Sequence, residues 1–179
     1  CGRLKPFVGI NLPKSIPTIA QIGPIIRGAL ATAGQVEGKP HRWIIDHRSS
    51  DQILHFVNGK NLGAYATRGN AAPDHSIRIK RFGAVLPAPD SADLEAFKTD
   101  VKTSIANFAT EYLTYFDRNN LRYGGGLTML DPVPRIVYVP GIGLFGVGKT
   151  AKAAAISADI AEATVNVITK AEALGEFTA

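Results

Sequence analysis

The chain has 179 residues, of which 45% are hydrophobic and 20% charged, and a formal net charge of +5. That suits one globular domain with a real core, and its single cysteine excludes both a disulfide framework and a multi-cysteine zinc site. Lys and Arg form no long runs and no apolar run reaches membrane-spanning length, so the expectation is a small anionic partner, with no nucleic acid and no membrane.

In chain order, the first 17 residues are rich in Pro and Gly, and Ser15 followed by Pro17 resembles a helix start. A helix is predicted through Ile19, Ile22, Ile26 and Leu30 to an AGQVEGKP loop, with a kink or break at Gly23-Pro24. Residues 42–46 read as a short strand. Ser49-Ser50-Asp51 can cap a helix over 52–57 whose Ile53, Leu54, Phe56 and Val57 make a buried face, stopped by Gly59. Residues 61–67 fit one further short helix. In the loop 68–81, alternation predicts an extended segment with Arg78 and Lys80 on one face. Residues 82–86 read as a strand ended by Pro87. Asp90-Ser91 caps a long helix over 92–118, carrying Leu94, Phe97, Val101, Ile105, Phe108 and Tyr112 along one side. Residues 119–134 form a glycine-rich link.

The stretch from Arg135 to Leu174 organises the rest. Ile136 to Val139 is an apolar, β-branched run of the kind a buried parallel strand needs. Gly141, Gly143, Gly146 and Gly148 then predict a loop almost without side chains. From Thr150 an alanine-rich helix follows, with Ala154, Ile160, Ala161, Val165 and Ile168 at helical spacing and Gly175 as its stop. A strand, glycine loop and helix in that order point backbone N–H groups at an anion. Residues 141–146 fit the dinucleotide pattern GxGxxG, and GLFGVGKT over 143–150 fits the Walker A pattern. Too little chain follows for the further strands and acidic residue that either nucleotide fold needs. The simpler reading of most of these glycines is a tight β–α turn where helix and sheet pack closely.

Strands alternating with helices predict an α/β three-layer sandwich with a small, mostly parallel sheet, as a single module over 1–179. Ligands of such sheets sit at the carboxyl ends of the strands, here residues 46–50, 87–90 and 141–150. The candidate anion-binding residues are therefore Gly141, Gly143, Gly146, Gly148, Lys149, Thr150, His75, Arg78 and Lys80, with Arg68 and Arg81 nearby in sequence. A solvated, charge-protected edge strand is the competing reading of the basic segment. His41, His47, His55 and His75 lie in no HxH, HxxxH or HExxH arrangement, so no metal site is assigned. No nucleophile elbow supports a serine triad, and no catalytic residue is assigned. Cys1 in place of a Met, and an uncapped GEFTA end, lead us to expect a fragment of a longer protein.

GNAAPDHSIRIKR over 69–81, DPVPRIVYVPGIGLFGVGKTAKAAAISADIAEATVNVI over 131–168 and KAEALGEF over 170–177 resemble the bifunctional aldolase/short-chain dehydrogenase family of the rhamnulose-phosphate aldolase/alcohol dehydrogenase type. The resemblance implies the later part of a class II aldolase/adducin-like region, covalently joined in a cytoplasmic parent to aldolase and NAD(P)-dependent dehydrogenase domains. It implies zinc and NAD(P) for the parent, a lyase and oxidoreductase of carbohydrate metabolism, and none in this fragment. The family's third zinc histidine stands in an asparagine–histidine–glycine turn, whose counterpart here is residues 139–143 with Ile142 at the histidine position. Isoleucine cannot ligate a metal, so the implied zinc site either lies in a missing amino-terminal part or has been lost, and this chain alone is expected to be inactive. The Gly141–Thr150 loop and the basic segment are expected to face an anionic ligand such as a sugar phosphate. The alternatives are a nucleotide-binding enzyme using Lys149 and Thr150, and an oligomerisation module whose apolar helix faces meet further copies.

Overall fold

The computed structural model describes residues 5–34 and 39–178; Cys1 and the middle of the AGQVEGKP loop lie outside the described residues. Among the described residues six helices surround one four-stranded sheet. The order is α1 (Ile19–Ala33), β1 (Ile44–Arg48), α2 (Asp51–Val57), α3 (Leu62–Tyr65), α4 (His75–Ile79), β2 (Ala84–Val85), α5 (Leu94–Arg122), β3 (Ile136–Val139), β4 (Gly143–Gly148) and α6 (Ala151–Leu174).

The helix starts follow capping chemistry. Ser50 Oγ accepts from the Ile53 N–H at 3.2 Å, Asp93 Oδ1 from Ala96 at 2.9 Å and Thr150 Oγ1 from Ala153 at 3.1 Å. α1 starts at Thr18, whose N–H donates to Gln21 Oε1 at 2.9 Å. The predicted break at Pro24 does not occur. α1 runs through it, and Ile22 and Ile26 on either side are fully buried. Proline costs the helix the one bond that residue 24 would give to the Ala20 carbonyl, and the burial of Ile22 and Ile26 outweighs that loss.

The α/β sandwich is as expected, but its sheet is mixed. Strand order is β1-β4-β3-β2; β1–β4 and β3–β4 are antiparallel, and only β2–β3 is parallel. The reversal comes from residues 141–150, which are not one loop. A turn at Pro140-Gly141-Ile142 folds the chain back as β4, with Val139 opposite Gly143 and Ile136 opposite Gly146. Gly141 has φ +77, a left-handed conformation that glycine adopts without steric cost.

Side-chain alternation then divides the core. Val137, Val139, Phe145 and Val147 face α1 and α5, together with Trp43, Ile22, Phe97 and Ile105. Ile136, Tyr138 and Leu144 face α6 and the short helices, together with Ile53, Phe56, Ala158 and Val165. On that second face β4 presents glycine. A Cβ on Gly146 would collide with the Ala154 carbonyl and the Ala158 amide, and one on Gly148 with the Ala154 amide. The close helix–sheet packing read from these residues is present, but along a strand rather than at a β–α turn.

Candidate functional site

The hairpin separates residues that the sequence places in one loop. Gly141 sits in the turn at one end of β4, where its N–H donates to Asn58 Oδ1 at 2.7 Å; His47 Nε2 lies 3.1 Å from the neighbouring Ile142 carbonyl. Lys149 and Thr150 sit at the opposite end, about 17 Å away along the strand at ~3.4 Å per residue. Gly143, Gly146 and Gly148 between them are buried in the central strand, with partners on both sides. Their backbone polar groups are taken up by the sheet and do not form an open anion cradle. The Thr150 hydroxyl caps α6. A Walker-type phosphate loop is therefore absent from residues 143–150, and the nucleotide reading loses its geometry.

The structure gathers a different group at the Lys149 end. Asp131 and Arg135 face each other across the segment Pro132-Val133-Pro134, whose two prolines restrict the backbone. Arg135 Nη1 and Nη2 donate to Asp131 Oδ1 and Oδ2 at 2.9 and 2.7 Å, a bidentate pair, while the guanidinium lies 5.0 Å from the Trp43 ring centre. Lys149 Nζ approaches Asp131 Oδ2 at 4.0 Å. Lys80 reaches the same residue from the other side, where its Nζ donates to the Asp131 carbonyl and stands 3.8 Å from the Tyr112 ring centre.

Local geometry explains how Lys80 arrives there. The expected extended segment is instead the helix α4, because Ile77 turns out to solvent while Ile79 is fully buried. Lys80 ends that helix with φ +63, and its carbonyl accepts from the Asn70 side-chain amide at 2.5 Å. Its side chain is left 7% exposed beneath α5. Burial, assisted by the Arg135 charge and opposed by Asp131, brings the Lys80 ammonium down to a pKa of about 7. Burial works against the Asp131 carboxylate too, but the Arg135 hydrogen bonds and the charges of Arg135, Lys80 and Lys149 outweigh it and hold Asp131 below its ordinary value.

Of the predicted basic residues, only Lys80 and Lys149 meet. Arg68 turns to the far end of α6 and pairs with Glu172 at 2.7 Å and Glu176 at 2.6 Å. Arg81 pairs with Glu111 at 3.3 Å. Arg78 is exposed, and His75 is half-buried at the start of α4 with a buried Nδ1 that has no partner. Asp131, Arg135, Tyr112 and Asn70 escaped the sequence reading. An Asp and an Arg four residues apart around two prolines was the signal for the first two.

A class II aldolase second-domain model matches residues 17–179. The chain belongs to that family. It is also 29% identical over 160 residues to the protein named uncharacterized oxidoreductase YuxG of Bacillus subtilis (strain 168). That alignment covers 89% of this chain and 22% of the relative, so the chain spans about a fifth of the relative's length. The donors of this class II aldolase second domain do not fit the metal that the aldolase resemblance implies. Ile142 is buried in the core facing α1 and α5, and His47 is turned to the Ile142 carbonyl. Among the described residues no group of three or more His, Cys, Asp or Glu is placed to hold a metal ion. Nor does the GxGxxG stretch open a helix, as a dinucleotide turn must. Among the described residues no helix is long and apolar enough to cross a membrane.

Proposed function

We propose that this class II aldolase second domain is a non-catalytic module of a sugar-phosphate aldolase/short-chain dehydrogenase protein, and that it contacts an anionic carbohydrate at the Lys149 end of the sheet. The observation that carries the reading is the excess of basic groups there: Arg135 and Lys149 approach the single carboxylate of Asp131, and Lys80 donates to the backbone carbonyl of the same residue. Lys149 is the member available to a ligand, since its side chain is 57% exposed and its contact with Asp131 is long. A phosphate or carboxylate drawn to Lys149 would sit beside an arginine already fixed by its bidentate pair. The oxidoreductase name of the longer relative supports a parent that also carries redox chemistry, with zinc and NAD(P) held by its other domains.

A thermal-shift series tests this. Inorganic phosphate and fructose 1-phosphate are expected to raise the unfolding midpoint, because a ligand that binds only the folded state stabilises it. Lys149→Ala is expected to remove that shift and leave the ligand-free midpoint unchanged. A series in which neither compound acts on the parent chain, or in which both act equally on Lys149→Ala, would refute the anion contact. A shift with ATP–Mg²⁺ or NAD⁺ alone would favour a nucleotide ligand instead.

A further inference from the structure

A cavity of about 370 Å³ lies far from the Lys149 cluster, at the other end of α6. From Thr150 to Ile168 the helix advances about 27 Å at ~1.5 Å per residue. One wall is the end of α6, with Ile168, Thr169 and Ala173; another is the end of α2 and the turn after it, with His55, Lys60 and Asn61. The third is an extended strap formed by residues 5–10. The strap is tied at one end by the Lys5 N–H donating to the Ala173 carbonyl at 2.8 Å, with Lys5 Nζ donating to the Gly175 carbonyl. At the other end Lys60 donates to Val8 at 2.9 Å and Ile10 to Asn58 at 2.8 Å. Between these ties Phe7 stacks over His55, with ring centres 3.9 Å apart.

The lining is two-natured. Phe7 and Val8 supply an apolar surface and are 50% and 56% exposed, with the buried Ile168 behind them. At its rim the exposed side chains of Lys60 and Asn61 make no hydrogen bond or ion pair among the described residues. Glu172, the acidic residue of the wall, is paired with Arg68 at 2.7 Å and accepts the Phe177 N–H at 2.7 Å. The net character is an apolar slot with cationic and amide groups at its rim. Ligand pockets of this volume usually combine those features.

We infer that this cavity is a binding site for a small organic anion with a flat apolar body, independent of any carbohydrate contact at Lys149. The body lies against Phe7 and Val8, and the anionic group meets Lys60 and Asn61. The strap closes over the ligand, which exposes the backbone ties of residues 5–10 as the elements that ligand binding should tighten.

The test uses three probes of one shape: 2-naphthoate, neutral 2-naphthamide and cationic 2-naphthylmethylamine. Binding is read from amide chemical shifts of the labelled chain. 2-Naphthoate is expected to bind saturably, moving the Phe7, Lys60 and Thr169 amides, and at least about tenfold more tightly than the amide, the equivalent of roughly 1.4 kcal/mol. Ala173→Trp, which fills the slot, is expected to abolish binding. Lys60→Glu, an exposed position that leaves the core untouched, is expected to transfer the preference from naphthoate to the amine, so the inference stays testable if Ala173→Trp fails to fold. Absence of saturable binding to the parent chain would overturn the inference. So would shifts confined to residues outside the cavity, or a charge preference that Lys60→Glu leaves unchanged.

Discussion

The two long helices bury themselves by opposite means. α6 lies on the sheet through small residues along most of its length, with Ala154, Ser157, Ala158, Ala161 and Thr164 buried before the larger Val165 and Ile168. α5 is longer, 29 residues against 24, yet buries only Phe97, Val101, Ile105 and Phe108, all in its first half. Small side chains bring the α6 backbone against β4, where glycine leaves room for it. Large side chains hold α5 off the sheet and fill the gap. Closeness makes the first contact intolerant of added volume, whereas bulk makes the second intolerant of removed volume.

That difference sets the largest expected effect. Gly146→Val should prevent folding or cost more than about 3 kcal/mol, the upper end for overpacking, because the new atoms meet the backbone of Ala154 and Ala158 and no flexible side chain can yield. The same kind of change on the α5 side should be far milder than a deletion there. Ile105→Ala should cost about 2–5 kcal/mol through the cavity it leaves, measurable by denaturant unfolding. If Gly146→Val were tolerated and Ile105→Ala were not, close approach would not be what holds α6.

Lys80, beneath α5, sharpens the comparison through pH. Its folded pKa of about 7 lies below its ordinary 10.5, so between those values the unfolded chain binds more protons than the folded one. Folding stability should therefore rise from pH 7 towards pH 9.5. Above pH 10 the opposite tendency enters, since burial raises Tyr65 and Tyr138 and holds them protonated in the folded state while they ionise in the unfolded one. Lys80→Met should flatten the rise below pH 9.5. An unchanged slope in that variant would mean that Lys80 keeps its charge in the folded protein.

What the sequence made legible follows the same division. α5 and α6 were readable because Phe97, Val101, Ile105 and Phe108, or Ala154, Ala161, Val165 and Ile168, recur at helical spacing. β3 was readable as a β-branched run. β4 was not, because GLFGVG owes its strand conformation to neighbours on both sides and to the helix above it, and its glycines resemble a phosphate loop when seen alone. Once β4 was missed, the sheet direction and the unity of the predicted site were lost with it. The segment 76–80 failed for another reason. Two isoleucines at a spacing of two fit an extended strand, but only Ile79 is buried, and a single helical turn carries it inward as well. Lys80 and Lys149 were found by charge, whereas Asp131 lay in what reads as a linker, and only the tertiary fold places it between them.

The smallest expected effect separates Thr150's structural role from a ligand-binding one. In the folded chain its hydroxyl accepts from the Ala153 N–H at 3.1 Å, so Thr150→Ala should cost about 1 kcal/mol, as loss of an N-cap does. Thr150→Ser keeps the acceptor oxygen and should recover most of that stability. Because Lys149 is exposed and carries no such bond to α6, Lys149→Ala should leave the unfolding midpoint unchanged without ligand while removing any shift caused by phosphate. The two neighbours thus divide the N-terminus of α6 between them. If Thr150→Ala lost the phosphate shift at unchanged ligand-free stability, the hydroxyl would be a ligand contact rather than a cap, and α6 would begin by bonds other than its own.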